Sequence, residues 1–148
     1  MAHTYPFSLD WNGNTLQADY SRNATASAEG KLTLPVSSAP EFAGDTLRWN
    51  PEDLLGAALA NCHMLTFLAL AAKAKVEVKA YEDRAEALLD TVEKVTSITT
   101  IRLRPTIRVA PGTSMAKVLD LFQKAHKYCF VANSIKSKVI MEPRVIEG

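Results

Sequence analysis

The alternation of apolar and polar residues near the start of the chain predicts β-structure. Two strands are predicted at residues 7–11 and 15–20, and Asn12-Gly13 between them has the composition of a tight hairpin turn. A third short strand is predicted at residues 31–36, followed by a loop. This part of the pattern therefore predicts a small antiparallel sheet.

A long apolar stretch follows the loop and carries the start signals of a helix. Asn50 is a predicted N-cap, Pro51 suits the first helical position, and Glu52 and Asp53 place negative charge where the helix dipole favours it. The helix is predicted to run to about Lys73. Because the helix is apolar nearly all round, most of its surface is expected to be covered by protein.

The second half of the chain returns to strand-like alternation around a second helix. Strands are predicted at residues 76–82, 95–109 and 138–146. The second helix, capped by Thr113 or Ser114, repeats its apolar residues at helical spacing. This order of elements predicts an α+β fold, and a length of 148 residues predicts that the whole chain is a single domain.

Three arginines alternate with apolar residues in the strand predicted at 95–109. Arg102, Arg104 and Arg108 fall on one face, and a solvated sheet face explains such a row without a binding role. Pro105 cannot donate to a ladder, so it predicts an edge or a bulge in this strand.

The charge balance bears on which partners the protein can have. With 17 basic and 16 acidic residues, the chain has no electrostatic footprint for nucleic acid or for a membrane surface. Two cysteines and the absence of a signal-peptide pattern favour a cytoplasmic location. A membrane span is not expected at the apolar helix, because Asn61, His63 and Thr66 lie near its centre. We therefore expect a small molecule or a second subunit as partner.

Cys62 lies in the middle of the first predicted helix, and its thiol is the first candidate for chemistry. A thiol reacts as the thiolate, and apolar burial raises its pKa, so a nucleophilic Cys62 needs a nearby cation. His63 is rotated about 100° from it round the helix and points elsewhere. Arg22, at the end of a predicted strand, is the best-placed cation, although an arginine at a strand end is commonly just solvated.

Glu52 adds a geometric constraint to any site built on Cys62. The two residues are ten positions apart on one predicted helix, which separates their backbones by about 15 Å. If both belong to one site, Glu52 must come from a second subunit, as two antiparallel helices in a two-fold dimer would allow. The alternative is that Glu52 only complements the helix dipole.

Two segments of the chain, one around each cysteine, resemble the signature segments of the OsmC/Ohr family. The residues that carry the resemblance are Asn50-Pro51-Glu52-Asp53-Leu54-Leu55, then Ala57-Ala58-Leu59-Ala60-Asn61-Cys62-His63, and later Ala125-His126-Lys127-Tyr128-Cys129 with Asn133-Ser134-Ile135. The hairpin start, the cysteine spacing and the closing strand also match, so the resemblance covers the whole chain. It implies an intertwined α+β homodimer with two active sites at its interface.

The same resemblance implies an activity, the thiol-dependent reduction of organic hydroperoxides. It implies that Cys62 is the peroxidatic thiol, that Cys129 resolves it through a Cys62–Cys129 disulfide, and that Arg22 and Glu52 are the activating arginine and its glutamate partner. The implied partners are an organic peroxide and an external dithiol, for which dihydrolipoyl groups are one candidate. No bound cofactor is expected.

Two other interpretations of the protein stay open. On the same fold, the protein could be a non-catalytic thiol switch or a stress protein that binds small apolar molecules. Cys62, His63, His126 and Cys129 have a ligand count compatible with zinc, but adjacent helical side chains diverge, so no metal is expected. His126 is expected to be a surface histidine near a helix C-terminus, where the dipole favours it.

Overall fold

The computed structural model describes all 148 residues of the chain. It contains two compact units, Met1–Leu54 and Leu55–Gly148. That the two units form a single domain stays a prediction.

The first unit contains a small antiparallel sheet. Its strands are β1 (Ser8–Asp10), β2 (Ala24–Ser27) and β3 (Leu34–Val36), and they pair in that order. A short 3-10 helix at Pro40–Phe42 follows. A small antiparallel sheet is confirmed, and its first and third strands lie where they were predicted, but its second strand lies at Ala24–Ser27 and not at residues 15–20.

The tight hairpin predicted at Asn12-Gly13 is wrong. Residues 15–20 form turns rather than a strand, so β1 pairs instead with the later strand β2. Asn14 explains part of the difference, because its side-chain Oδ1 accepts a hydrogen bond from the Leu16 amide at 3.0 Å. Such a side-chain bond stabilises a turn where a strand would need the amide for its ladder.

The first helix, α1, spans Pro51–Lys73 as predicted. The Asn50 side chain accepts a hydrogen bond from the Asp53 amide at 2.8 Å, and the Asp53 carboxylate accepts one from the Asn50 amide at 3.3 Å. These reciprocal bonds form a capping box. The helix ends where Lys75 takes a left-handed conformation with φ 60°.

One stripe of α1 is buried within the chain. Its members are Gly56, Leu59, His63, Phe67 and Ala71. The outer face is not covered, and Leu65 on it is 54% exposed. The helix is long and apolar enough to cross a membrane, but the core helix of a globular protein meets the same criterion. The predicted burial of α1 on most sides is therefore not achieved within a single chain.

The second unit contains two three-stranded sheets and the second helix. The strands are β4 (Val78–Asp83), β5 (Glu86–Val92), β6 (Val95–Leu103), β7 (Pro105–Val109), β8 (Lys138–Met141) and β9 (Arg144–Glu147), and the helix is α2 (Met115–Tyr128). One sheet has the order β4-β7-β9 and the other β5-β6-β8. Both contain antiparallel and parallel pairs, so the predicted α+β class is confirmed.

The strands predicted at residues 95–109 and 138–146 each divide into two. The breaks lie at Pro105 and at Pro143, opposite each other. Paired residues differ by the same number of positions before and after the breaks, so the parallel register does not change. Pro105 was expected at an edge or a bulge, but it begins β7, the central strand of its sheet. The first position of a strand tolerates the missing amide.

Strand β5 has no strand-like alternation in the sequence and was not predicted. It pairs with β6 through a two-residue turn at Glu93-Lys94, where φ is 50° and 68°. Positive φ at both positions matches the twist of a hairpin, although neither residue is the usual Asn or Gly.

The core of the second unit has two parts. In the larger one, Phe67 of α1 packs with Phe122 of α2 and Ile107 of β7. In the smaller one, Leu59 of α1 packs with buried residues of β6 and with Cys129. The helix α1 therefore contributes residues to both parts of the core, and Cys129 is buried in the smaller part.

Candidate active site

The two cysteines lie together in the second unit as free thiols. Cys62 is half-buried on α1 and packs against the smaller core, of which the fully buried Cys129 is a member. The Cys129 thiol helps to lower the pKa of Cys62, so the two side chains are near each other. Two thiols in one cluster are candidates for a disulfide, which requires their Cα atoms to be within about 7 Å.

Cys129 stands where α2 ends, and not inside the helix as its apolar spacing suggested. The helix stops at Tyr128, and Cys129 has extended dihedral angles of φ −71° and ψ 115°. The amide of Ala132 donates a hydrogen bond to the Cys129 sulfur at 3.5 Å. Because Cys129 lies outside α2, it does not share a helical face with His126.

The environment of Cys62 favours its thiolate. Burial raises the pKa of the Cys62 thiol, but hydrogen bonds from the Val131 amide, the Cys129 thiol and the Phe130 amide outweigh burial, and the pKa is lowered overall. The Thr66 hydroxyl contributes least, since it donates to the Cys62 carbonyl at 2.8 Å. No cation is among these causes, and the need of a nucleophilic Cys62 for a nearby cation stays a prediction.

Cys129 is perturbed in the opposite direction. Burial is the main cause, and the neighbouring Cys62 adds to it, so that the pKa of Cys129 is raised to about 11 even though the Ala132 amide opposes the shift. One thiol of the pair is thus favoured as a nucleophile, and the other is held protonated at neutral pH.

His63 points away from Cys62 into the core, as its helical position predicted. Its ring is fully buried 4.5 Å from the ring of Phe122, and neither ring nitrogen has a hydrogen-bond partner. His126 was expected on the surface, but it is half-buried 6.0 Å from His63, with its Nδ1 buried and unpartnered. No three His, Cys, Asp or Glu side chains converge as metal ligands.

The two charged residues of the predicted site lie in the first unit and do not pair with each other there. The Oε2 atom of Glu52 is buried without a hydrogen-bond partner. The Arg22 guanidinium donates to the Tyr20 carbonyl, stacks 3.7 Å from the Tyr20 ring centre and forms no salt bridge. A buried carboxylate oxygen usually accepts a hydrogen bond, and a guanidinium binds a carboxylate strongly. Glu52 lacks such a donor, and Arg22 lacks such a carboxylate.

Two of the three arginines in the row, Arg102 and Arg104, form surface ion pairs. Arg104 contacts Glu86 at 2.9 Å and Glu142 at 3.4 Å, and Arg102 binds the same two carboxylates. Arg108 is exposed. The interpretation of this row as a solvated sheet face is confirmed.

Residues 44–144 match the family of OsmC-like proteins. The chain belongs to this family. It is 30% identical to an OsmC-like protein of unknown function from Vibrio cholerae, over 96% of this chain and 99% of that one, with a TM-score of 0.87. It is also 29% identical over 93 residues to peroxiredoxin OsmC of Escherichia coli strain K12, which is 63% of this chain and 64% of that protein.

A solved organic hydroperoxide resistance protein from Elizabethkingia anophelis shares the fold, with a TM-score of 0.70 and 20% identity over the full length of both chains. This OsmC-like chain thus has the predicted family and fold.

The backbone amides that lower the pKa of Cys62 in this OsmC-like protein were not predicted from the sequence. They come from Phe130 and Val131, in the turn after α2. Backbone groups carry no residue signature, but Asn133 and Ser134 just beyond them are residue types that stabilise turns. That pair is the signal from which a structured turn could have been inferred.

Proposed function

We propose that this OsmC-like protein is a thiol-dependent peroxidase that reduces organic hydroperoxides to alcohols. Cys62 is the attacking thiolate and Cys129 is the resolving thiol. The observation that carries the proposal is the packing of both cysteines at the smaller core, combined with the opposite directions of their pKa shifts.

The first step transfers one oxygen atom. The Cys62 thiolate attacks the terminal oxygen of the hydroperoxide, the O–O bond breaks, and the alkoxide leaves and is protonated to the alcohol. Cys62 is left as a sulfenic acid. The lowered pKa of Cys62 supports this role, since only the thiolate is a competent nucleophile.

The second step forms the disulfide. The Cys129 sulfur attacks the Cys62 sulfur, the S–O bond breaks, and the hydroxyl leaves as water with the Cys129 proton. Part of the rise in the pKa of Cys129 comes from the neighbouring Cys62. Oxidation of Cys62 to the neutral sulfenic acid removes its negative charge, and so makes Cys129 easier to deprotonate at the moment it is needed.

Arg22 and Glu52 are proposed as an ion pair that assists the first step. A guanidinium held by a carboxylate stabilises a thiolate and donates hydrogen bonds to peroxide oxygens as charge develops. The unpartnered Oε2 of Glu52 supports this pairing, as does the lack of a salt bridge at Arg22. Because α1 is continuous from Pro51 to Lys73, Glu52 stays about 15 Å along it from Cys62 and is proposed to act on the partner subunit's site.

The proposed active unit is a homodimer that works in the cytoplasm without a bound cofactor. The apolar outer face of α1 supports a second copy as partner, since large exposed apolar patches on a folded chain are typical of an interface. An external dithiol, such as a dihydrolipoyl group, reduces the disulfide and so closes the cycle.

Peroxide consumption tests the proposal. The purified protein is assayed with cumene hydroperoxide or hydrogen peroxide, and with dithiothreitol or dihydrolipoamide as reductant. We expect many turnovers with the organic peroxide, none for Cys62→Ser, and for Cys129→Ser a single oxidation that traps Cys62 as an over-oxidised acid. Oxidation of Cys129 before Cys62 would reverse the roles, and a wild-type protein that is oxidised once without turnover would be a thiol switch.

A further inference from the structure

The turn after α2, residues 129–134, has a dense set of backbone hydrogen bonds. The Asn133 amide donates to the Cys129 carbonyl at 3.1 Å, and the Ser134 amide donates to the Val131 carbonyl at 2.9 Å. The Ala132 amide donates to the Cys129 sulfur at 3.5 Å. We call this segment the cysteine turn, because it holds one thiol and faces the other.

Two side chains, those of Ser134 and Asn133, stabilise the cysteine turn by hydrogen bonds to backbone carbonyls. The Ser134 hydroxyl donates to the Phe130 carbonyl at 2.7 Å. The Asn133 side-chain amide donates to the Lys127 carbonyl at 3.1 Å, one of the last carbonyls of α2 that no helical amide can reach. Both side chains are exposed, so packing in the core does not explain why these residues occupy the two positions.

The bond from Ser134 fixes a peptide group that serves Cys62. The Phe130 carbonyl and the Val131 N–H belong to the same planar peptide, and in a trans peptide these two groups point in opposite directions. Holding the carbonyl outward on the Ser134 hydroxyl therefore aims the N–H inward. The inward side carries the smaller core, where Cys62 packs beside Cys129, Val131 and Ala132.

We propose that Ser134 is a positioning residue for the Cys62 thiolate, because its bond to the Phe130 carbonyl aims the Val131 amide at the Cys62 sulfur, with Asn133 anchoring the same turn to α2. Successive amides presented by a turn form a concave site for an anion, and here the anion is the thiolate. The lowered pKa of Cys62, in which the Val131 amide is the largest favourable contribution, agrees with this geometry. The catalytic consequence rests on the proposed function, whereas the effect on thiol reactivity does not.

The test measures how fast iodoacetamide alkylates Cys62 across a pH series, with peptide mass spectrometry to separate the two cysteines. Loss of one hydrogen bond that orients the amide should lower the alkylation rate of Ser134→Ala at neutral pH by about five-fold and move its pH profile upward. Ser134→Thr keeps a hydroxyl and should restore the wild-type profile. Asn133→Ala cannot donate to the Lys127 carbonyl, adds no charge, and should shift the profile in the same direction as Ser134→Ala.

The matched control is Ser114→Ala at the other end of α2. The Ser114 hydroxyl caps the helix by accepting from the Lys117 amide at 3.3 Å, so its loss destabilises α2 without touching the cysteine turn. The control should lower the unfolding midpoint and leave the alkylation profile unchanged. If Ser134→Ala unfolds, Asn133→Ala gives the deciding profile.

Unchanged profiles in folded Ser134→Ala and Asn133→Ala, or an equal shift in Ser114→Ala, would overturn the proposal. Peroxide turnover of the wild type is measured in parallel. A wild type without turnover would remove the proposed peroxidase, while the alkylation profiles would still decide the role of Ser134.

Discussion

His63 is buried without a hydrogen-bond partner, and this should make the stability of the protein depend on pH. Burial, followed by the nearby His126, lowers the pKa of His63 from 6.5 to about 4. The unfolded chain therefore takes up a proton more readily than the folded one. The stabilising contribution of the neutral ring is fully present above pH 6.5, is lost as the pH falls from 6.5 to 4, and changes no further below that.

The size of the effect follows from the width of this window. A fall in the pKa from 6.5 to about 4 corresponds to a total loss of about 3 kcal/mol in the free energy of unfolding. Between pH 7 and pH 5 the loss is about 2 kcal/mol by the same relation. These values are upper limits, because any opening that lets water reach the ring makes protonation of the folded state easier.

The assay compares urea unfolding of the wild type and His63→Leu at pH 7 and at pH 5, at one protein concentration. Carboxylates that titrate in this range affect both proteins equally, so the difference between the two pH effects isolates His63. The wild type should lose about 2 kcal/mol more than His63→Leu. The exposed His3 provides a control, and His3→Asn should behave as the wild type. Equal losses in the wild type and His63→Leu would refute the reasoning.

Three predictions concern the thiols. At pH 7, iodoacetamide should modify Cys62 before Cys129, because the pKa of Cys62 is lowered and that of Cys129 is raised to about 11; faster modification of Cys129 would contradict this. Arg22→Ala should raise the pKa of Cys62 in the same assay, whereas Arg108→Ala should not, and an unchanged value would remove Arg22 from the site. Mixing Cys62→Ser with Glu52→Ala chains should partly recover peroxidase activity, since one site of each heterodimer is intact; an active monomer in sedimentation would argue against shared sites.

Local signals in the sequence predicted the helices well. Asn50 and Pro51 marked the start of α1, and Ser114 was one of the two caps considered for α2. These predictions held because capping depends on residues within one turn of the helix end. The strands were harder to predict, since β5 exists only because β6 is available to pair with it.

The sequence by itself determined the family, the α+β class and the two cysteines as the candidate reactive groups. The signature segments around Cys62 and Cys129 are sequence properties, and a thiol is a candidate nucleophile wherever it occurs. Sequence reasoning about burial alone, however, predicted the wrong environment for Cys62.

Only the tertiary structure decided how the two thiols differ. The amide of Val131 lies 69 positions along the chain from Cys62, and no pattern in the sequence indicates that it faces that sulfur. A pKa is set by the groups that surround an atom in space, and backbone amides are the same at every residue except proline. Burial therefore raises the pKa of Cys129 while the cysteine turn lowers that of Cys62, although both residues lie in apolar stretches of the sequence.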